Sequence, residues 1–221
     1  GISCEWSSPV ISNCIFRGNY PKSTSGFRGG IGGAIWLRYS GSALINNCLF
    51  EGNWATSEGA AITAIQATHP MITNCTIIDN VSCLPYNQQY KGGIYSQDPA
   101  TMLINCIVWG NQPHQIIGNA QVNYCDVQDG WPGTSNINAN PRFVPGPGGR
   151  YYLSQIAAGQ PVNSPCLDAG NPTWPIVSGT TRTDQVQDAG IVDMGYHYPV
   201  ADGMSLADEV QAPPFLRGAG G

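Results

Sequence analysis

The residues of this chain that could do chemistry are its thiols, carboxylates, imidazoles and aromatic rings, and their spacing constrains what that chemistry is. There are eight cysteines. Five of them, Cys14, Cys48, Cys75, Cys106 and Cys125, fall in one column of a recurring phrase: SNCIFRGN, NNCLFEGN, TNCTIIDN and INCIVWGN, then the degenerate NYCDVQDG. A metal centre needs thiolates that converge on a point. One cysteine per repeat gives a line instead, so a ladder of reduced, buried thiols is expected. Cys4 falls in a second inward position. Cys83 and Cys166 lie off the column and are the candidates for a disulfide, although nothing in the sequence pairs them.

The carboxylates are sparse. Hydrolysis of a glycan needs two carboxyl groups roughly 5 to 9 Å apart, and a lyase needs an acidic Ca²⁺ cluster with a base. The acids gather only as Asp168, Asp184, Asp188 and Asp193, without the D-x-D-x-D-G spacing of a calcium loop. Capping of local turns is the expected role, with a structural Ca²⁺ site as the alternative. His69, His114 and His197 are scattered, no Cys/His pair has metal-ligand spacing, and there is no Gly-x-Ser-x-Gly elbow. No catalytic residue, metal ligand or cofactor is identified, and the sequence leans away from an enzyme without deciding the matter.

The aromatic residues are suggestive of binding, with packing beneath the connections the favoured reading. Trp36 and Tyr95 align in one outward column with Thr63, and Trp54, Tyr86 and Tyr90 extend the set from the connections, near Tyr20 and Phe27. Exposed rings among polar groups stack on sugars or anchor a partner protein. Trp36, Tyr95, Trp54, Tyr86 and Tyr90 are the candidate binding face.

The elements that position these residues are repeats. Cysteine-to-cysteine intervals are 34, 27, 31 and 19 residues. Asn19, Asn53, Asn80 and Asn111 close the first four copies five residues after each cysteine. A second motif, GGAIW, GAAIT and GGIY, places Ile35, Ile62 and Ile94 ahead of the next cysteine by 13, 13 and 12 residues. Ile2 precedes Cys14 by 12, so the chain opens on the same motif with its front removed. Short period-2 runs broken by Gly and Asn, with no helical periodicity, predict β-strands. Repeats of this kind bury their apolar faces only by stacking, which predicts an all-β parallel solenoid with one coil per repeat. Ile11, Ile45, Ile72 and Leu103 point inward three residues before the cysteine, and Phe16, Phe50, Ile77 and Val108 two residues after it. The change of parity requires a bend at Asn13, Asn47, Asn74 and Asn105, which asparagine tolerates. Opposite charges on adjacent coils, Arg17 with Glu51 and Glu5 with Arg38, read as cross-strand pairs.

Charged residues make up 10% of the 221-residue chain and apolar residues 42%, with 28 Gly, 17 Pro and a net charge of −5. That balance disfavours nucleic acid or anionic lipid as a partner, and no apolar run reaches the ~18 residues of a membrane span. Residues 1–129 read as coils, 130–200 as an irregular β/loop segment packed on the last coil, and 201–221 as a tail or linker.

The repeats resemble the right-handed parallel β-helix proteins of bacterial secreted and surface families, whose recurring line is G-G-G-I-Y … S-P-x-I-x-N-C-x-F-x-G-N. The stretch NANPRFV … PCLDAGNP … VDMGYHY is similar to the segment that follows the last coil in many of them. The resemblance implies a right-handed helix and an extracellular or cell-surface location, and it carries over no catalytic residue. The expected function is a non-catalytic scaffold, with a carbohydrate-binding or polysaccharide-degrading protein as the alternative. The open first coil suggests head-to-tail filaments of copies, or upstream coils of a longer chain, as its partner.

Overall fold

The computed structural model describes residues 1–20, 32–39, 41–83 and 91–200. The chain winds through five coils, each contributing one strand to each of three parallel walls. The first wall stacks Ile2–Glu5, Ile35–Arg38, Ile62–Ile65, Ile94–Ser96 and Ile116–Gly118. The second stacks Val10–Ser12, Leu44–Asn46, Met71–Thr73, Met102–Ile104 and Gln121–Asn123. The third stacks Ile15–Arg17, Leu49–Glu51, Thr76–Ile78, Ile107–Trp109 and Asp126–Val127. A two-stranded patch, Trp54–Ala55 with Val81–Ser82, follows the third wall.

The register is the one the repeat predicts. Ile2 pairs with Ile35, and Cys4 with Leu37. The bends fall at the asparagines before the column cysteines: φ is 54° at Asn13, 48° at Asn47, 51° at Asn74 and 55° at Asn105. Tyr124 takes the same conformation in the degenerate copy, at 53°. Each bend resets the alternation, so Ile45, Cys48 and Phe50 all face inward and are fully buried. The rings of Phe16 and Phe50 stack at 4.9 Å. Burial of each such side chain contributes about 1.5–3 kcal/mol.

The asparagines that close the copies form a buried amide ladder. Asn53 Oδ1 accepts from the Asn19 backbone N–H (3.0 Å) and Nδ2 (2.8 Å). Asn80 Oδ1 does the same for Asn53, and Asn111 Oδ1 for Asn80. The second amide hydrogen goes to a carbonyl of the coil above, as from Asn80 Nδ2 to Phe50 O at 3.0 Å. Gln115 ends the row by accepting from Asn111 Nδ2 at 2.9 Å. The glycines of the second motif serve close approach between coils. A Cβ on Gly33 would lie 1.9 Å from Ala60 O, and one on Gly92 would lie 1.8 Å from His114 O.

The lower end of the solenoid is capped. Asn136 Oδ1 accepts from Cys125 N (3.1 Å), and its amide donates to Val122 O (2.8 Å). Ile137 forms a parallel bridge with Asp126, and Trp131 packs against the core. The rest of the C-terminal segment does more than pack on the last coil: it turns back along the outer face of the third wall. A hairpin of Phe143–Gly146 and Gly149–Leu153 brings Tyr152, with Tyr196 and Tyr198, onto Leu49 and Ile78. Tyr152 and Tyr198 stack at 4.0 Å. The segment is pinned to the corner asparagines. His197 N donates to Asn47 Oδ1 (2.8 Å), and Asn47 Nδ2 donates to His197 O (3.0 Å). Asn171 N donates to Asn105 Oδ1 (2.7 Å).

Residues 201–221, read from the sequence as a tail or linker, lie outside the described residues.

Candidate functional site

The thiol column is continuous, with Cys48, Cys75, Cys106 and Cys125 buried and Cys14 half-buried at the upper end. Cys48 N donates to Cys75 Sγ at 3.3 Å, and Cys106 N donates to Cys125 Sγ at 3.2 Å. Burial pushes the Cys75 and Cys125 thiols well up. The disulfide candidates are corrected: all eight cysteines are free. Cys83 is exposed, whereas Cys166 is buried under the C-terminal segment and donates to Asp126 Oδ2 at 3.2 Å. The thiol that looked unplaced in sequence is thus a core residue paired with a buried carboxyl.

The four C-terminal acids separate by environment. Asp184 is exposed and held below its ordinary value by Arg182. Asp168 presents its backbone N–H to Asp193 Oδ1 at 2.6 Å. Asp193 also accepts from Thr181, and burial together with Asp188 pushes it up to about 6. Asp188 Oδ2 takes the Asp193 N–H (3.0 Å) and faces His197 Nε2 (2.9 Å). His197 is fully buried, and its Nδ1 faces Gly195 O at 3.1 Å. These acids tie turns together. Among the described residues, no group of three or more His, Cys, Asp and Glu is gathered to hold a metal ion.

The charge pairs form as expected, Arg17 with Glu51 and Arg38 with Glu5. Tyr151 OH also donates to Glu51 Oε1 at 3.1 Å. Asp79, at the next corner, is pushed up by burial and by Glu51. Glu51 therefore stands beside a second carboxylate that column alignment did not bring together, but both its oxygens are already engaged. At the lower end, an open cleft of about 480 Å³ is lined by Pro99, Ala120, Gln121 and Trp131. Two of its polar groups are taken: Trp131 Nε1 donates to Ala120 O and Gln121 Nε2 to Pro99 O.

The aromatic candidates divide. Trp36 and Tyr95 do share one outward column of the first wall, on either side of the buried Thr63. Trp54 lies on the two-stranded patch, where its ring meets Tyr20 at 4.8 Å. Tyr86 and Tyr90 lie outside the described residues. Tyr95 is only 8% exposed. Lys91 Nζ lies 3.5 Å from its ring centroid, and Gln97 Nε2 donates to its hydroxyl at 3.0 Å. The Arg38 guanidinium lies 6.0 Å from the Trp36 ring and 5.0 Å from Tyr39. Tyr39 in turn stacks on the 75%-exposed Trp6 at 4.3 Å.

Beside this column run Ser57 and Glu58, which the sequence reading did not single out. Thr63 Oγ1 donates to Gly59 O at 3.2 Å, and a Cβ on Gly59 would lie 2.6 Å from Tyr95 N. Those contacts bring the chain just after Glu58 against the wall between Trp36 and Tyr95. Burial pushes the Glu58 carboxyl up, and Lys91 opposes the shift. Three buried side-chain polar atoms among the described residues have no hydrogen-bond partner: Trp36 Nε1, Ser57 Oγ and Glu58 Oε2. The available signal was the position of Glu58 directly before the close-approach glycine of the second motif.

No helix among the described residues is long and apolar enough to cross a membrane. No curated protein and no solved structure matches the chain significantly. The family model for the right-handed β-helix region matches residues 1–130, a span that ends where the lower cap begins. With that match over more than half of the chain, and its strands stacked in parallel walls of the same span, the protein belongs to the right-handed β-helix family.

Proposed function

We propose that the protein is a non-catalytic β-solenoid scaffold acting outside the cell or at its surface, and that the upper edge of its first coil takes a further coil of the same repeat. The observation that carries this reading is the half-filled state of the ladders at that edge. In the coils below, each ladder oxygen accepts two N–H groups from the asparagine above. Asn19 heads the row, and among the described residues its Oδ1 receives no N–H from a ladder asparagine. Ile2 is 36% exposed, although its inward column partner Ile35 is fully buried. Unpaired strand edges with apolar neighbours are templates for β-addition.

The added coil belongs either to the same chain or to another copy. An endless head-to-tail filament is the narrower case. It would require the lower end to accept a coil, and there residues 131–138 already make those contacts. The extracellular setting rests on the likeness to secreted and surface β-helix proteins, and the engagement of both Glu51 oxygens by Arg17 and Tyr151 supports a scaffold over a hydrolase.

The test is to place a copy of residues 35–61, one complete coil, directly before Ile2. The thermal midpoint is expected to rise by several degrees, and the amides of residues 10–17 to become protected from exchange. An unchanged or lowered midpoint contradicts the reading. Sedimentation of the unaltered chain separates the two sources, since copies associate with rising concentration, whereas a coil supplied within one chain leaves a monomer.

A further inference from the structure

We infer that the thiol column is a binding site for a soft monovalent cation, copper(I), held linearly between Cys14 and Cys48 of adjacent coils. This goes beyond the scaffold role and does not depend on it. A line of thiols does not suit zinc, which takes four ligands converging in a tetrahedron. Copper(I) is selected by soft thiolates, and with two of them it asks only for a pair of sulfurs facing each other across the metal. Two metal–sulfur bonds of about 2.3 Å placed end to end span about 4.6 Å. Neighbouring strands step by about 4.8 Å. The arrangement that excludes one class of metal therefore matches another.

The uppermost pair has the required placement. Ser12 pairs with Asn46 and Ile15 with Leu49, which sets Cys14 directly above Cys48. The two thiols lie within hydrogen-bonding reach of each other. The backbone also prepares the sulfurs for negative charge, because each column N–H points at the sulfur of the next coil. Cys14 N faces Cys48 Sγ, and Cys75 N faces Cys106 Sγ. Cys48 N donates to Cys75 Sγ at 3.3 Å and Cys106 N to Cys125 Sγ at 3.2 Å. Hydrogen bonds of this kind favour the thiolate, and those from Cys75 and Cys14 hold the Cys48 thiol below its ordinary value. Entry is from the upper end: Cys14 is half-buried, whereas the thiols below Cys48 are buried and closed off. Binding replaces two S–H bonds by two S–Cu bonds, and the copper keeps its oxidation state. Two protons leave to solvent, one that Cys14 donates to Ser12 O (3.1 Å) and one that Cys48 donates to Asn46 O (3.3 Å).

Anaerobic competition of the full chain against the coloured copper(I) chelator bicinchoninate tests the site. Copper(I), added as its acetonitrile complex, should pass to the protein in a one-to-one ratio. X-ray absorption of the loaded chain should show two sulfur neighbours and no nitrogen or oxygen. Cys14→Ala is expected to weaken binding about a hundredfold or more. Cys4→Ala and Cys83→Ala, which remove thiols off the column, should leave it unchanged, and zinc(II) should not displace the copper. Four results overturn the inference: no transfer of copper from the chelator, full binding by Cys14→Ala, binding lost with an off-column thiol, or displacement by zinc(II). Should Cys14→Ala fail to fold, X-ray absorption of the unaltered chain decides, since a third ligand or any nitrogen or oxygen neighbour contradicts the linear pair.

Discussion

At the scale of single residues, the protein depends on amides that are fully committed. Asn80 is buried at 0% exposure and serves both neighbours: its oxygen takes two hydrogens from Asn53, and its nitrogen reaches Asn111 Oδ1 and Phe50 O. Asn80→Ala would strand donors and acceptors on two adjacent coils with no water to replace them. The expected loss is about 3–5 kcal/mol. Asn19, at the half-buried upper end of the same row, gives one amide hydrogen to Asn53, whose oxygen still receives the Asn19 backbone N–H. Asn19→Ala should cost no more than about 1 kcal/mol. Denaturant midpoints of the two variants measure the contrast, and equal losses would show that the ladder is not acting as a buried column.

At the scale of elements, the seam between the last coil and the C-terminal segment carries a titration. Asp126 is fully buried, accepts from Ala139 N at 3.1 Å and from Cys166 Sγ at 3.2 Å, and burial pushes it up to about 6. Its ordinary value is about 3.9. The folded state therefore holds this proton more tightly than the unfolded chain, so the stabilisation is complete below pH ~4 and is lost as pH rises to about 6. Asp126→Asn removes that dependence. Relative to the native chain, the variant should gain roughly 2–3 kcal/mol between pH 4 and pH 7, read from urea unfolding at the two values. A constant difference between the two proteins would place the ionised form of Asp126 in the fold at both pH values. The sequence set residues 130–200 on the last coil, but nothing in it announced the contact of Cys166 with Asp126. The coils were legible because each column repeats: Cys48 and Cys75 align, and the Asn before each explains the change of parity. The segment that grips Asn47 and Asn105 has no repeat to align, so its path along the third wall was not readable. Ser57 and Glu58 were hidden for a related reason, because they lie in a connection whose length varies between copies. Alignment on the Asn–Cys pair treats that connection as a loop, while its meeting with Thr63 and Tyr95 is set by stacking.

At the scale of the whole molecule, five coils and the returning segment form one hydrogen-bonded body, closed below by Asn136 and Trp131 and open above at Ile2. A non-catalytic scaffold needs this kind of continuity, in which walls, ladders and seam unfold together. Hydrogen exchange followed by mass spectrometry on the full chain tests that continuity most directly. The second to fourth coils, together with residues 149–153 and 194–198 of the C-terminal segment, are expected to exchange as one slow unit, and residues 2–17 to exchange faster. Fast exchange of the C-terminal segment while the coils stay protected would contradict the single hydrogen-bonded body on which the scaffold reading rests.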